Sequence, residues 1–184
     1  MKRVELQNNL AMTITIVMGS MLFATLFMGY AIYRSNAMEW PPLGIPKVPL
    51  LIPTLSTIII ALSSWFAYQV RSAVALNQMN KAHNQLNVTL FLGVLFMLSQ
   101  GYLWYSLKQT GIFLGSSGIF GSVIYGFTWI HAFHMLLGLG ALIYLKIVLK
   151  PSTQNCLQKT INVEKFWHFL GIVWLVMYLT MFVL

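Results

Sequence analysis

The sequence predicts an all-α fold: an integral membrane bundle of five transmembrane helices, a single membrane domain over residues 1–184, with its N-terminus cytoplasmic and its C-terminus external. Three observations carry that expectation. Of the residues, 58% are hydrophobic and only 8% charged, whereas a soluble domain carries roughly a quarter charged residues, so much of the exterior has to face lipid. Five apolar runs each approach or exceed the ~20 residues a helix needs to cross the bilayer core. The Lys and Arg residues, finally, are divided unevenly between the two ends of those runs.

The first run, Leu10–Tyr33, is about twice as long as a signal-peptide apolar core and lacks a small-x-small cleavage site, so it is expected to be a retained helix. The others are Pro49–Val70, Leu86–Leu107, Ile119–Leu145 and Phe166–Leu184. The fourth is the longest and is expected to tilt or protrude. Lipid offers no partner to backbone N–H and C=O groups, so helix is the default for each run, and the alternation of a barrel strand is absent. Between the runs, Arg34–Val48 holds Trp40, Pro41, Pro42, Gly44 and Pro46, which forbid continued helix. Arg71–Gln85 reads as an Asn/Gln-rich connection containing His83. Gln109–Gly118 carries the run Gly115-Ser116-Ser117-Gly118, and Lys146–Lys165 carries Pro151 and Cys156.

Basic residues fix the orientation. Lys2, Arg3, Arg71, Lys81, Lys146, Lys150, Lys159 and Lys165 fall on one side, and Arg34, Lys47 and Lys108 on the other. Positive residues remain inside, which makes the first side cytoplasmic. The formal net charge of +8 does not point to nucleic acid, because its sources are scattered between apolar runs and form no basic patch. Cys156 is the only cysteine, which excludes an intrachain disulfide. In a polar loop without a ligand partner, it reads as an inert thiol.

Intramembrane ionisable groups are the usual pointer to chemistry in such a chain. Glu5, Glu39 and Glu164 are the only acids, and all three are expected to flank the membrane runs. A self-contained proton relay or cation site is therefore disfavoured, and matched broken helices of the transporter kind are missing. His131 and His134, three apart, share a helix face. They could ligate a haem or metal, but a di-metal bundle needs several Glu besides. The preferred reading is structural: neutral imidazoles hydrogen-bonding to neighbouring helices or backbone. His168 is expected to contact Glu164 one turn earlier. Ser122/Gly126 and Ser63/Ala67 have the small-xxx-small spacing that permits close helix approach. Trp40, Trp104 and Trp167 fall at expected boundaries, where interfacial anchoring is the plain account.

Several stretches, in order, resemble one family. Trp40-Pro41-Pro42-Leu43-Gly44-Ile45, followed by Val48-Pro49-Leu50-Leu51 and Thr54, resembles a loop and helix start of haem–copper oxidase subunit III. Ser63-Ser64, Gln100, Gly111-Ile112, Gly121-Ser122, His131-Ala132-Phe133-His134 and Gly138 resemble the family pattern through its middle helices. Phe166-Trp167-His168-Phe169-Leu170 and Val173-Trp174 are similar to its C-terminal signature. Each motif is modest, and the ordered set, over about residues 10–184, is specific.

The resemblance implies the five-helix form of subunit III found in bacterial quinol oxidases. It implies no catalytic residue, cofactor or metal in this chain, with haem and copper on partner subunits. Catalytic subunit I would be the neighbour, in a bacterial cytoplasmic membrane, and phospholipid would be bound in a cleft. Basic residues beside a cytoplasmic leaflet attract anionic lipid by about 1 kcal/mol each, and Arg71, Lys146 and Lys150 are the expected contacts. Three acids of the family pattern are replaced here, by Gly19 (or Ser20), Leu103 and Gly171, so roles tied to those acids are not carried over. The alternative readings are an accessory protein of a nitric oxide reductase, a stand-alone His-ligated haem or metal protein, and a small transporter.

Overall fold

Helix dominates each described segment, because a chain this apolar has to satisfy its backbone internally. The structure, a computed structural model, describes residues 2–38, 50–112, 118–149 and 156–183. Its elements are α1 (Lys2–Asn36), α2 (Leu51–Ala75), α3 (Met79–Gln109), α4 (Gly118–Val148) and α5 (Cys156–Tyr178), which continues into a π-helical turn at Leu179–Val183. All five are long and apolar enough to cross a membrane. Among the described residues there is no β-strand. Trp40, Pro41, Pro42 and Lys150 lie outside the described residues.

Each helix is longer than the apolar run that announces it, and the differences correct three expectations. The expected connection Arg71–Gln85 is helical except for Leu76–Gln78, where Asn77 takes a left-handed φ of 56°. Asn80, Asn84 and Gln85 belong to the first turns of α3, which bury Ala82 and Leu86 at helical spacing. His83 is therefore a helix residue, with Nδ1 2.9 Å from the Met79 carbonyl. Cys156 is not in a loop; it is the first residue of α5 and is buried. Hydropathy finds apolar stretches, and these helix ends are too polar to register although their inward faces are buried.

The short link makes α2 and α3 an antiparallel hairpin. Ser56 and Ser99 hydroxyls meet at 2.7 Å, and the Ser63 hydroxyl donates to the Thr89 carbonyl at 3.1 Å. Helix α1 is the least covered. Leu10, Ile14, Met18, Met21, Met28 and Ile32 are exposed, while Thr13, Thr15, Ser20 and Thr25 return their hydroxyls to carbonyls one turn back. It is fastened to α5 at both ends. Asn9 Oδ1 accepts from Gln158 (2.7 Å) and Asn162 (3.1 Å), and at the other end Tyr30 Oη and Arg34 Nη1 donate to the Thr180 carbonyl at 2.9 and 3.1 Å.

Candidate functional site

The polar chemistry of the bundle concentrates between α2 and α5. Thr54 Oγ1 and Tyr178 Oη share a hydrogen bond of 2.9 Å, Trp174 Nε1 donates to Thr57 Oγ1 at 3.1 Å, and Trp167 Nε1 donates to Ser63 Oγ at 3.1 Å. Two signature tryptophans of α5 thus reach hydroxyls on α2, and the spacing of the ladder follows the helix repeat on both sides. Trp167 is no interfacial anchor: it is fully buried. It lies where α3 and α4 have no side chain to obstruct it. A Cβ on Gly93 would stand 2.8 Å from Trp167 Cη2, and one on Gly138 3.1 Å from Trp167 Cε3. Gly138 is therefore a contact glycine, and one indole joins four helices.

One turn from Trp167, Glu164 is 5% exposed, with Arg71 Nη1 3.6 Å from Oε2 and His168 Nε2 3.5 Å from Oε1. The local Glu–His contact is as expected. The acid stands just before the apolar run, as expected, yet it is buried within a continuous helix. Helix α5 begins ten residues before that run, at Cys156, and its polar residues Thr160, Asn162 and Glu164 face inward. The bundle therefore holds a buried carboxylate, paired across α2 and α5. Arg71 is nearly half exposed, and Lys146 is exposed near the end of α4.

His131 and His134 do share a face, since both meet the Phe23 ring, at centroid distances of 6.2 and 5.4 Å. His134 bonds to backbone as expected, and His131 departs from expectation. His134 Nδ1 lies 2.7 Å from the carbonyl of Ile130 in its own helix. Both His131 nitrogens are buried without a hydrogen-bond partner among the described residues, and its contacts are the rings of Phe23, Phe96 and Trp174. Gln100 is equally buried and equally unpartnered. Trp104, also expected at an interface, turns its Nε1–H inward to Thr128 Oγ1 at 3.0 Å. Among the described residues no three His, Cys, Asp or Glu converge as a metal-ion cluster.

Of the two small-residue pairs, Ser63/Ala67 is buried at the α2 contact face. Ser122/Gly126 makes no close approach: Ser122 is exposed, and a Cβ on Gly126 would meet nothing within 4 Å. The three positions that lack family acids are spent on packing. Gly19 lies under the Phe169 ring, Leu103 is fully buried, and Gly171 faces the Ser64 hydroxyl. The α2–α5 ladder escaped the sequence reading, because pairing of Thr57 with Trp174 depends on which helices are neighbours.

Comparison with known proteins places this architecture. A family model described as cytochrome c oxidase subunit III matches residues 2–184. The chain is 29% identical to cytochrome c oxidase subunit 3 of Synechocystis, over 92% of this chain and 72% of that protein. It is 32% identical to a probable cytochrome c oxidase subunit 3 of Nocardia farcinica, over 88% and 80%, and 25% identical to a subunit 3 of Thermostichus vulcanus, over 95% and 86%.

Proposed function

The chain belongs to the cytochrome c oxidase subunit III family, and from that premise we propose that it packs beside the catalytic subunit I in a bacterial cytoplasmic membrane and holds phospholipid at its cytoplasmic side. It is an accessory subunit of a haem–copper oxidase complex and is not catalytic alone. In the proposed arrangement haem and copper reside on partner subunits. The observation that carries the reading is the match over residues 2–184 on a chain with five candidate membrane spans. Purification of the native complex tests it. The chain should co-purify in fixed ratio with a haem-bearing subunit, while the separated polypeptide has a featureless visible spectrum. Stoichiometric haem on the separated chain would overturn it.

The proposed orientation puts the N-terminus and the Leu76–Gln78 link in the cytoplasm, on the strength of the basic asymmetry. Buried Cys156 is a poor reporter of sidedness, so the test removes it and uses an exposed residue of the link. With Cys156→Ser and Gln78→Cys, an impermeant thiol reagent should label only permeabilised cells. Labelling of intact cells would reverse the orientation.

Arg71, Lys146 and Lys150 are the proposed anionic headgroup contacts. An apolar groove of about 280 Å³ between α2 and α5, lined in part by Ile60, Ala61, Ile172 and Leu175, starts two turns of α2 from Arg71 and suits an acyl chain. Gln at all three positions, with Glu164→Gln to keep Arg71's partner from being stranded, should reduce the anionic lipid that co-purifies. An unchanged lipid complement would sink the assignment.

A further inference from the structure

Four polar atoms between α3 and α4 have no hydrogen-bond partner among the described residues: Oε1 and Nε2 of Gln100, and Nδ1 and Nε2 of His131. Both side chains are 1% exposed, so no neighbouring subunit can supply what they lack. The register brings them to one level. Phe96 of α3 meets the His131 ring at 6.0 Å, and Trp104 of α3 reaches Thr128 of α4 at 3.0 Å. Gln100 stands one turn from Phe96 and one from Trp104 on the same buried stripe, opposite the turn of α4 that runs from Thr128 to His131.

We propose that Gln100 and His131 form an internal water site in the α3–α4 interface. Buried polar groups without partners carry their full desolvation cost, and native structures meet it with protein groups or ordered water. A direct amide–imidazole bond would be insufficient. It pairs one atom of each side chain and leaves the second amide atom and the second ring nitrogen bare. A buried water typically makes about three hydrogen bonds and offers both donors and acceptors. One water can therefore bridge an amide atom and a ring nitrogen, whichever tautomer His131 adopts, and a second water in the site can serve the remaining atom of each side chain. The site also extends an existing polar seam. Along the same interface Tyr125 Oη donates to the Ile112 carbonyl at 3.0 Å, and Thr128 Oγ1, which accepts from Trp104, donates to the Ile124 carbonyl at 2.8 Å. Beyond His131 the seam ends against the rings of Phe23, Phe96 and Trp174.

A map of the intact oxidase complex, at a resolution that shows ordered water, tests the proposal directly. Density within hydrogen-bonding distance of both Gln100 and His131 is expected. Direct contact between the two side chains with nothing between them, or dry packing of both, would overturn it. A second measurement follows thermal retention of the subunit in the complex for Gln100→Leu, His131→Phe and the double variant. If one water serves both residues, each single change strands the other's polar atoms, and the double variant loses less than the sum of the singles. Strictly additive losses would count against the site, and failure of a single variant to assemble leaves the wild-type map to decide.

Discussion

Trp167→Ala is expected to produce the largest loss of stability of any single truncation in the bundle. The indole fills the space left by Gly93 and Gly138 and donates to Ser63, so its removal opens a cavity shared by α2, α3, α4 and α5. Core Trp-to-Ala changes in water-soluble proteins cost about 3–5 kcal/mol. In lipid the hydrophobic drive between helices falls away while packing remains, so a cost near the lower end, about 3 kcal/mol, is expected. The lost hydrogen bond accounts for only ~0.6 kcal/mol of it. Trp167→Phe should therefore be milder, since most of the volume survives. The converse change, Gly93→Leu, forces a Cβ to within 2.8 Å of both Trp167 and Leu139 and should cost about 1–3 kcal/mol by overpacking. The readout is the temperature at which the subunit dissociates from the purified complex. A midpoint for Trp167→Ala equal to wild type would show that the indole is not the junction of the bundle.

The five-helix architecture was legible because crossing a bilayer imposes length and apolarity on contiguous sequence, and Leu10–Tyr33 or Ile119–Leu145 satisfies both without reference to any other segment. Helix ends were less legible for the same reason. Residues such as Ala82, Thr160 and Asn162 lie on the buried faces of helices that run beyond the hydrophobic stretches, and hydropathy counts them as loop. The functional residues divide along a similar line. His168 beside Glu164 is a contact within one helix, and the i,i+4 spacing announces it. Arg71 beside Glu164, or Trp174 beside Thr57, joins segments about a hundred residues apart, and their pairing follows only from the packing of α2 against α5. His131 shows a third case. Its burial and its face were foreseeable, but its lack of a protein partner among the described residues depends on Phe96, Trp174 and Phe23 all being rings.

The Arg71–Glu164 pair leads to an expected ordering of variants. Glu164 is 5% exposed and inside a membrane helix, where an uncompensated charge is expensive. Arg71→Met removes its cationic partner from α2 and leaves His168 alone beside the carboxylate. Breaking a buried pair costs about 3–5 kcal/mol in soluble proteins. Two features reduce that here. The Arg71 side chain is 46% exposed, and at 3.6 Å its contact with Oε2 is longer than a hydrogen bond. A loss of about 1–3 kcal/mol is therefore expected, within the bounds those principles set. Glu164→Met strands no buried charge, because Arg71 can extend its head toward the interface, so it should be milder. The double variant Arg71→Met, Glu164→Met should lie close to Glu164→Met, since replacing both members of a buried pair by apolar groups is often neutral. Dissociation temperatures of the subunit from the complex give the order directly. If Glu164→Met proved more damaging than Arg71→Met, the carboxylate would be needed for more than neutralising Arg71, and the pair could not be read as a mutual cancellation of charge within the membrane.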